Sequence, residues 1–176
     1  STAFLKAFQE STPIPCQVVE EGPILENVKM GDEVDVLSFP TPLWHELDGG
    51  RYIGTGSCVI TQDPDEGWVN IGTYRVMVHD EKSVGFYISP GKHGRVHRDK
   101  YIARNQPMPV AIVVGGDPLL YLMACNELPY GISEYEFAGA LRGKPYPVIR
   151  GRVTGLPIPA QAEIVLEGFV DPKKRR

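Results

Sequence analysis

Trp68-Val69-Asn70-Ile71-Gly72-Thr73-Tyr74-Arg75-Val76-Met77-Val78, then Asp80-Glu81-Lys82, then Ser83-Val84-Gly85-Phe86-Tyr87-Ile88 is the stretch whose reading decides the fold. A run rich in β-branched residues, a polar link and a second run with Val84, Phe86 and Ile88 at every other position predict two strands joined as a hairpin. Upstream, Tyr52 to Thr61 reads as another strand, broken by Gly54 and Gly56. Asp63-Pro64-Asp65-Glu66-Gly67 joins it to Trp68 as a turn, because Pro presets φ and Gly permits positive φ. Further back, Val34, Val36 and Leu37 carry a β pattern into the turn-rich Phe39-Pro40-Thr41-Pro42.

Downstream, Pro90 to Gly94 reads as a loop and Arg95 to Asn105 as a helix with Val96, Tyr101 and Ile102 inward. Pro109 to Val114 is a short apolar run of the kind found in buried strands. Asp117 as cap and Pro118 at the first helical position start a second helix, which runs to about Cys125. A third spans Ser133 to Leu141, with Ser133 and Glu136 spaced as a capping box and Gly143 as its stop. Val148 to Thr154 and Glu163 to Val170 read as closing strands. Short strands with hairpin-like links predict an α+β, mainly β chain: a closed or split β-barrel with two or three added helices. The expected organisation is an N-terminal segment over 1–40 packed on the barrel, one domain over 41–170, and a basic tail over 171–176.

Composition narrows the function classes. A net charge of −4 and no basic stripe interleaved with aromatics argue against a nucleic-acid partner. No apolar run is long enough for a transmembrane helix and no signal peptide is visible, so a cytoplasmic protein is expected. The three cysteines, Cys16, Cys58 and Cys125, form no CxxC pair and read as reduced thiols. Neither GxGxxG nor GxxxxGK[ST] is present.

Three stretches carry residues suited to chemistry. On the first strand Asn70 offers an amide oxygen to a hard cation and Arg75 a planar fork to a phosphate or carboxylate; the plainer alternative is a strand-end Asn and a surface Arg. In Gly91-Lys92-His93-Gly94 the glycines admit close approach, Lys92 suits a phosphate and His93 a metal; the alternative is an exposed loop. His79 reads as solvated, and His97, four residues past His93, has a weak context. In Ser133-Glu134-Tyr135-Glu136 the cap accounts for Glu136 but not for Glu134, which is either a ligand or a partner of the helix dipole. Asn, His and Glu together suit Mn²⁺ or Mg²⁺ holding a phosphate.

The same stretches resemble the UbiD family of prenylated-flavin decarboxylases. Asn70-Ile71-Gly72-Thr73-Tyr74-Arg75, Lys92-His93-Gly94, Gly115-Gly116-Asp117-Pro118, Ser133 to Gly143 and Pro159 to Gly168 carry the resemblance in order. It implies a split β-barrel like that of flavin reductases and a carboxy-lyase that reversibly decarboxylates an aromatic or α,β-unsaturated acid. Its cofactor is prenylated FMN, whose phosphate is tied to Mn²⁺ (or Mg²⁺) and often K⁺. By motif match, Asn70, His93 and Glu134 correspond to the Mn²⁺ ligands, and the Trp68 carbonyl lies near the monovalent cation. Thr73, Tyr74, Arg75, Tyr87, Ile88, Ser89, Lys92 and His93 correspond to the cofactor-binding stretch. Arg75 also matches the catalytic arginine, which orients the substrate carboxylate and tunes a proton-donating glutamate.

The family's catalytic acids lie in a Glu-Gly-Pro-Phe-Gly-Glu type motif that would follow Arg176. Glu163 and Glu167 match a structural strand and are no substitute. The expectation is therefore a cofactor-binding portion or subunit that needs a partner for turnover, forms a homo-oligomer or a complex with a chain carrying the missing acids, and takes its cofactor from a flavin prenyltransferase. A standalone flavin-binding module and a flavin reductase-like oxidoreductase stay open as alternatives.

Overall fold

A computed structural model describes residues 10–173; the first nine residues of the expected N-terminal segment and the last three of the basic tail lie outside the described residues. The core strand is β7 (Met108–Val114), the apolar run expected to be buried. It pairs antiparallel on one side with β10 (Ile164–Val170) and on the other with β3 (Cys58–Gln62), which in turn pairs with β4 (Val69–Gly72). Cys58, Ile60, Ala111 and Val113 face one apolar cluster, while Val59, Val110 and Ile112 face another. The period of two in the backbone thus gives this sheet two buried faces.

On the first face lie α2 (Pro118–Ala124), α3 (Glu134–Arg142) and a small sheet of β1 (Gln17–Val18), β8 (Pro147–Arg150) and β9 (Pro157–Pro159). On the second lies the sheet β2 (Arg51–Gly54), β5 (Val76–Asp80) and β6 (Ser83–Phe86). Helix α1 (His93–Ala103) packs against β3, β4 and β7. The chain is α+β and mainly β, but among the described residues the strands make three separate sheets and no closed barrel.

Several expected elements change shape. The strand over 52–61, broken as expected between Gly54 and Gly56, and the single strand over 68–78 are each two strands, β2/β3 and β4/β5, which lie in different sheets. Both breaks fall at the same level, so the hairpin crosses together from one sheet to the other. The Ser57 hydroxyl donates to the Tyr74 carbonyl at 3.2 Å there, and a Cβ on Gly54 would sit 2.7 Å from Ser57 Cβ. Val36–Ser38 is a 3-10 turn instead of a strand: the Asp35 carboxylate accepts the Leu37 N–H at 2.9 Å, a local bond that competes with pairing. Strand β6 ends at Phe86, with Tyr87 exposed and Ile88 buried.

The first helix starts at His93, so His93 and Gly94 are helical and not loop; it buries Gly94 and His97, with Val96, Tyr101 and Ile102 only half-buried. The strand over 148–154 stops at Arg150. Residues 151–155 turn instead, and the Glu167 carboxylate holds the turn through the Thr154 N–H at 3.0 Å and hydroxyl at 2.5 Å. Strand β9, Pro-Ile-Pro, carried no strand signal because proline cannot donate to a ladder. Helices α2 and α3 form where expected, although the Ser133 hydroxyl takes the Tyr135 N–H in place of the Glu136 N–H that the capping box called for. Asp117 accepts the Leu119 N–H, Ser133 accepts that of Tyr135, and Gly143 adopts the left-handed conformation (φ 69°).

Candidate metal and cofactor site

The residues singled out from the sequence fall into two places. The first is where β4 meets the starts of α1 and α3, with Asn70 and Glu134 buried and His93 half-buried. Asn70 lies on β4 opposite Thr61 and is buried. His93 is the first residue of α1 and Glu134 the first of α3. The Glu134 carboxylate accepts the Ile71 N–H at 2.6 Å, next along the chain from Asn70, and is 2% exposed. Burial pushes its pKa up to about 8, against the lowering effect of the Ile71 N–H and its own backbone N–H.

Tyr74 joins these elements. Its ring folds back over Gly72 and Gly94, and a Cβ on either glycine would run into it. Burial raises the Tyr74 hydroxyl pKa, while the neighbouring Asn70 amide and Gly94 N–H lower it. Asn70 Nδ2 lies beside this hydroxyl but makes no hydrogen bond of normal geometry. Trp68 stands at the outer wall. Its ring meets His93 edge-on at 5.3 Å, His97 at 4.6 Å and Tyr130 at 5.0 Å, and its Nε1 is buried without a partner. The Trp68 carbonyl accepts the Asp63 N–H at 2.9 Å, which leaves one lone pair.

The second place is an open groove of about 2230 Å³ on the side of the β2–β5–β6 sheet. Arg75, Tyr87 and Ile88 line it. Arg75 is exposed and stacks over the Tyr52 ring at 5.4 Å from the centroid. Tyr87 is exposed, and the Ile88 carbonyl accepts from Arg95 at 3.2 Å. Thr73 is half-buried in the link between β4 and β5, which connects the two places. Ser89 and Lys92 are exposed: the Ser89 carbonyl accepts the Lys92 N–H at 3.3 Å, and Lys92 Nζ reaches Glu127 at 3.4 Å.

The cluster fits a hard cation that holds a phosphate. It offers a buried carboxyl whose partners are N–H groups alone, and beside it the buried Asn70 amide, whose oxygen is the donor such a cation takes and whose unpartnered atom is the nitrogen. Among the described residues no three His, Cys, Asp or Glu side chains converge as a cage. One amide, one imidazole and one carboxyl would leave open positions for phosphate oxygens.

Sequence reasoning missed a second polar network beneath α1. His97, weak by its context, is fully buried, with Nδ1 3.0 Å from the Thr61 hydroxyl. Burial, reinforced by the charges of Lys100 and His93 and opposed by that of Asp63, holds its pKa down at about 4, so the ring is neutral near pH 7. Asp63 is buried and accepts from Lys100 Nζ at 2.5 Å, the Tyr130 hydroxyl at 3.3 Å and the Asp65 and Glu66 N–H groups. Burial acts to raise its pKa, but these donors, with Lys100 foremost, outweigh it and hold the group at about 2. Only the turn at Asp63 was legible. Lys100 and Tyr130 lie 37 and 67 residues away, beyond any local pattern. His79 is exposed as expected, and the cysteines are free. No helix among the described residues is long and apolar enough to cross a membrane.

The family model of the 3-octaprenyl-4-hydroxybenzoate carboxy-lyase Rift-related domain (UbiD) matches residues 17–176. Pyrrole-2-carboxylic acid decarboxylase of Pseudomonas aeruginosa is 39% identical over 168 residues, which are 96% of this chain and 34% of that enzyme. The closed form of vanillic acid decarboxylase from Sedimentibacter hydroxybenzoicus superposes with a TM-score of 0.90 at 34% identity, covering 99% of this chain and 38% of that one. An evolved dimeric form of the UbiD-class enzyme HmfF from Pelotomaculum thermopropionicum, in complex with prFMN, superposes with a TM-score of 0.92 at 28% identity over 99% of this chain and 41% of that one. The chain thus spans 34% to 41% of the length of these relatives.

Proposed function

Because the chain belongs to the UbiD family of carboxy-lyases, we propose that it is the part of such an enzyme that grips prenylated FMN and a divalent cation during reversible decarboxylation of an aromatic or α,β-unsaturated acid. One observation carries this reading. The Glu134 carboxyl is buried on the Ile71 N–H, with Asn70 beside it and the His93-bearing helix against the same strand. A carboxylate in that position needs a cation to stay charged near neutral pH.

Asn70, His93 and Glu134 would hold Mn²⁺ or Mg²⁺, and the Trp68 carbonyl would have a lone pair to offer K⁺. Thr73, Tyr74, Tyr87, Ile88, Ser89 and Lys92 flank the flavin and its phosphate, the sheets acting as walls of a split barrel. Bound prenylated FMN supplies the electron sink for the departing CO₂. Arg75, with its guanidinium at the groove and Tyr52 as its platform, orients the substrate carboxylate. The whole enzyme is a homo-oligomer or a complex with a second chain, and a flavin prenyltransferase supplies the cofactor.

The test titrates the chain with FMN, whose phosphate is the common handle, by flavin fluorescence with and without Mn²⁺. Tighter FMN binding with Mn²⁺, lost together with Mn²⁺ affinity in His93→Ala and Glu134→Ala, supports the reading. FMN affinity indifferent to Mn²⁺ and to both substitutions removes these residues from the site.

A further inference from the structure

The three side chains proposed above as ligands come from three elements, and one residue outside that set touches or leads into all three. Tyr130 lies in the link between α2 and α3, four positions before Glu134. Its ring meets His93 edge-on at 5.6 Å and Trp68 at 5.0 Å. Trp68 precedes β4, two residues before Asn70. About half of the tyrosine stays exposed, so burial alone does not fix it. Its hydroxyl does: it donates to Asp63 Oδ2 at 3.3 Å and accepts from Lys100 Nζ at 3.3 Å, while Lys100 and Asp63 are themselves paired at 2.5 Å. Asp63 belongs to the β3–β4 turn and Lys100 to α1. The same link is tied to the start of α1 a second time by Lys92 and Glu127 at 3.4 Å.

We infer that Tyr130 is a positioning residue, a pin whose ring sets the orientation of the His93 imidazole and whose hydroxyl, anchored by the Asp63–Lys100 pair, holds the α3 approach against the β3–β4 turn and α1. The ligand role of His93 rests on the function proposed above; the orientation of His93 by Tyr130 does not. The Trp68 and Tyr130 rings approach His93 nearly perpendicular, at 83° and 86°, and, with their own centroids 5.0 Å apart, form one aromatic corner against the imidazole. Losing the Tyr130 ring removes half of that corner. Losing the hydroxyl alone leaves the ring packing and removes only the anchor.

The experiment compares wild type, Tyr130→Phe and Tyr130→Ala, each checked for folding by circular dichroism. In the metal-free chain, NMR follows the His93 ring protons, which aromatic edges displace. In the same variants, calorimetry measures Mn²⁺ affinity, with His93→Ala as control. Tyr130→Ala is expected to move the His93 signals toward those of an unconfined imidazole and to weaken Mn²⁺ binding about tenfold, the size usual for lost support around a metal ligand. Tyr130→Phe restores most of both. Unmoved His93 signals in a folded Tyr130→Ala chain overturn the inference. If His93→Ala binds Mn²⁺ as well as wild type, the metal reading fails instead, and the NMR comparison still decides whether Tyr130 orients His93.

Discussion

Asp63 and Glu134 are both buried carboxylates at element ends, and the protein treats them in opposite ways. Asp63 closes the β3–β4 turn with two backbone N–H groups, a tyrosine hydroxyl and the ammonium of Lys100, and its pKa falls to about 2. Glu134 opens α3 with the Ile71 N–H and its own backbone N–H, and its pKa climbs to about 8. The difference is the cation. Burial acts on both to favour the neutral acid, and a nearby positive charge reverses the outcome in one of them. Where a carboxylate serves the fold, the chain supplies its own cation. Where the chain leaves a buried acid without one, in a wall of Asn70, Tyr74 and the His93 helix, the proposed function fills the gap from solution.

Four measurements break or sharpen this contrast. The largest effect is expected for Glu134→Ala, which should weaken Mn²⁺ binding by more than about 100-fold in calorimetry, at or beyond the upper end of what supporting residues contribute; retained affinity would end the contrast. Asp63→Ala removes the acceptor that gathers Lys100, Tyr130 and two N–H groups. It should cost about 2 kcal/mol in urea unfolding, because donors lose their partner, while Mn²⁺ binding falls far less than in Glu134→Ala.

The third measurement uses pH. Asp63 has a folded pKa of about 2 against an ordinary value of 3.8, so its contribution is complete above about pH 4 and is lost as pH falls from there toward 2. Asp63→Asn should flatten the urea midpoint over that interval, and an unchanged slope would mean that the Lys100 pair does not hold the charge. The smallest effect is expected for Thr61→Val. It removes the partner of His97 Nδ1 and should lower stability by about 1 kcal/mol with Mn²⁺ affinity unchanged. A large metal effect there would merge the two networks that the contrast keeps apart.

Legibility in the sequence followed distance along the chain. The N-caps of α2 and α3, the buried run of β7 and the Asp63 turn all rest on residues a few positions apart, and they stand in the structure. The break at Gly54–Ser57 was marked by Gly54 and Gly56, but the one at Thr73–Arg75 did not show, because a strand that changes sheets keeps its apolar pattern while its partners change. His97 looked idle because Thr61 lies 36 residues away. Tyr130 had no signal at all, since its partners come from the β3–β4 turn and α1.

By itself, then, the sequence determined the kind of chain this is. Its ordered motifs resemble the UbiD family, its periodicities make it mainly β with added helices, and its local capping singles out Glu134 as the unassigned acid. Only the tertiary structure decided that the strands lie in three sheets, and that of two buried carboxylates one has its ammonium and the other has none. Short-range patterns record backbone conformation and capping, which neighbours along the chain control. Burial and charge pairing depend on side chains brought together from far apart, and those exist only once the chain has folded.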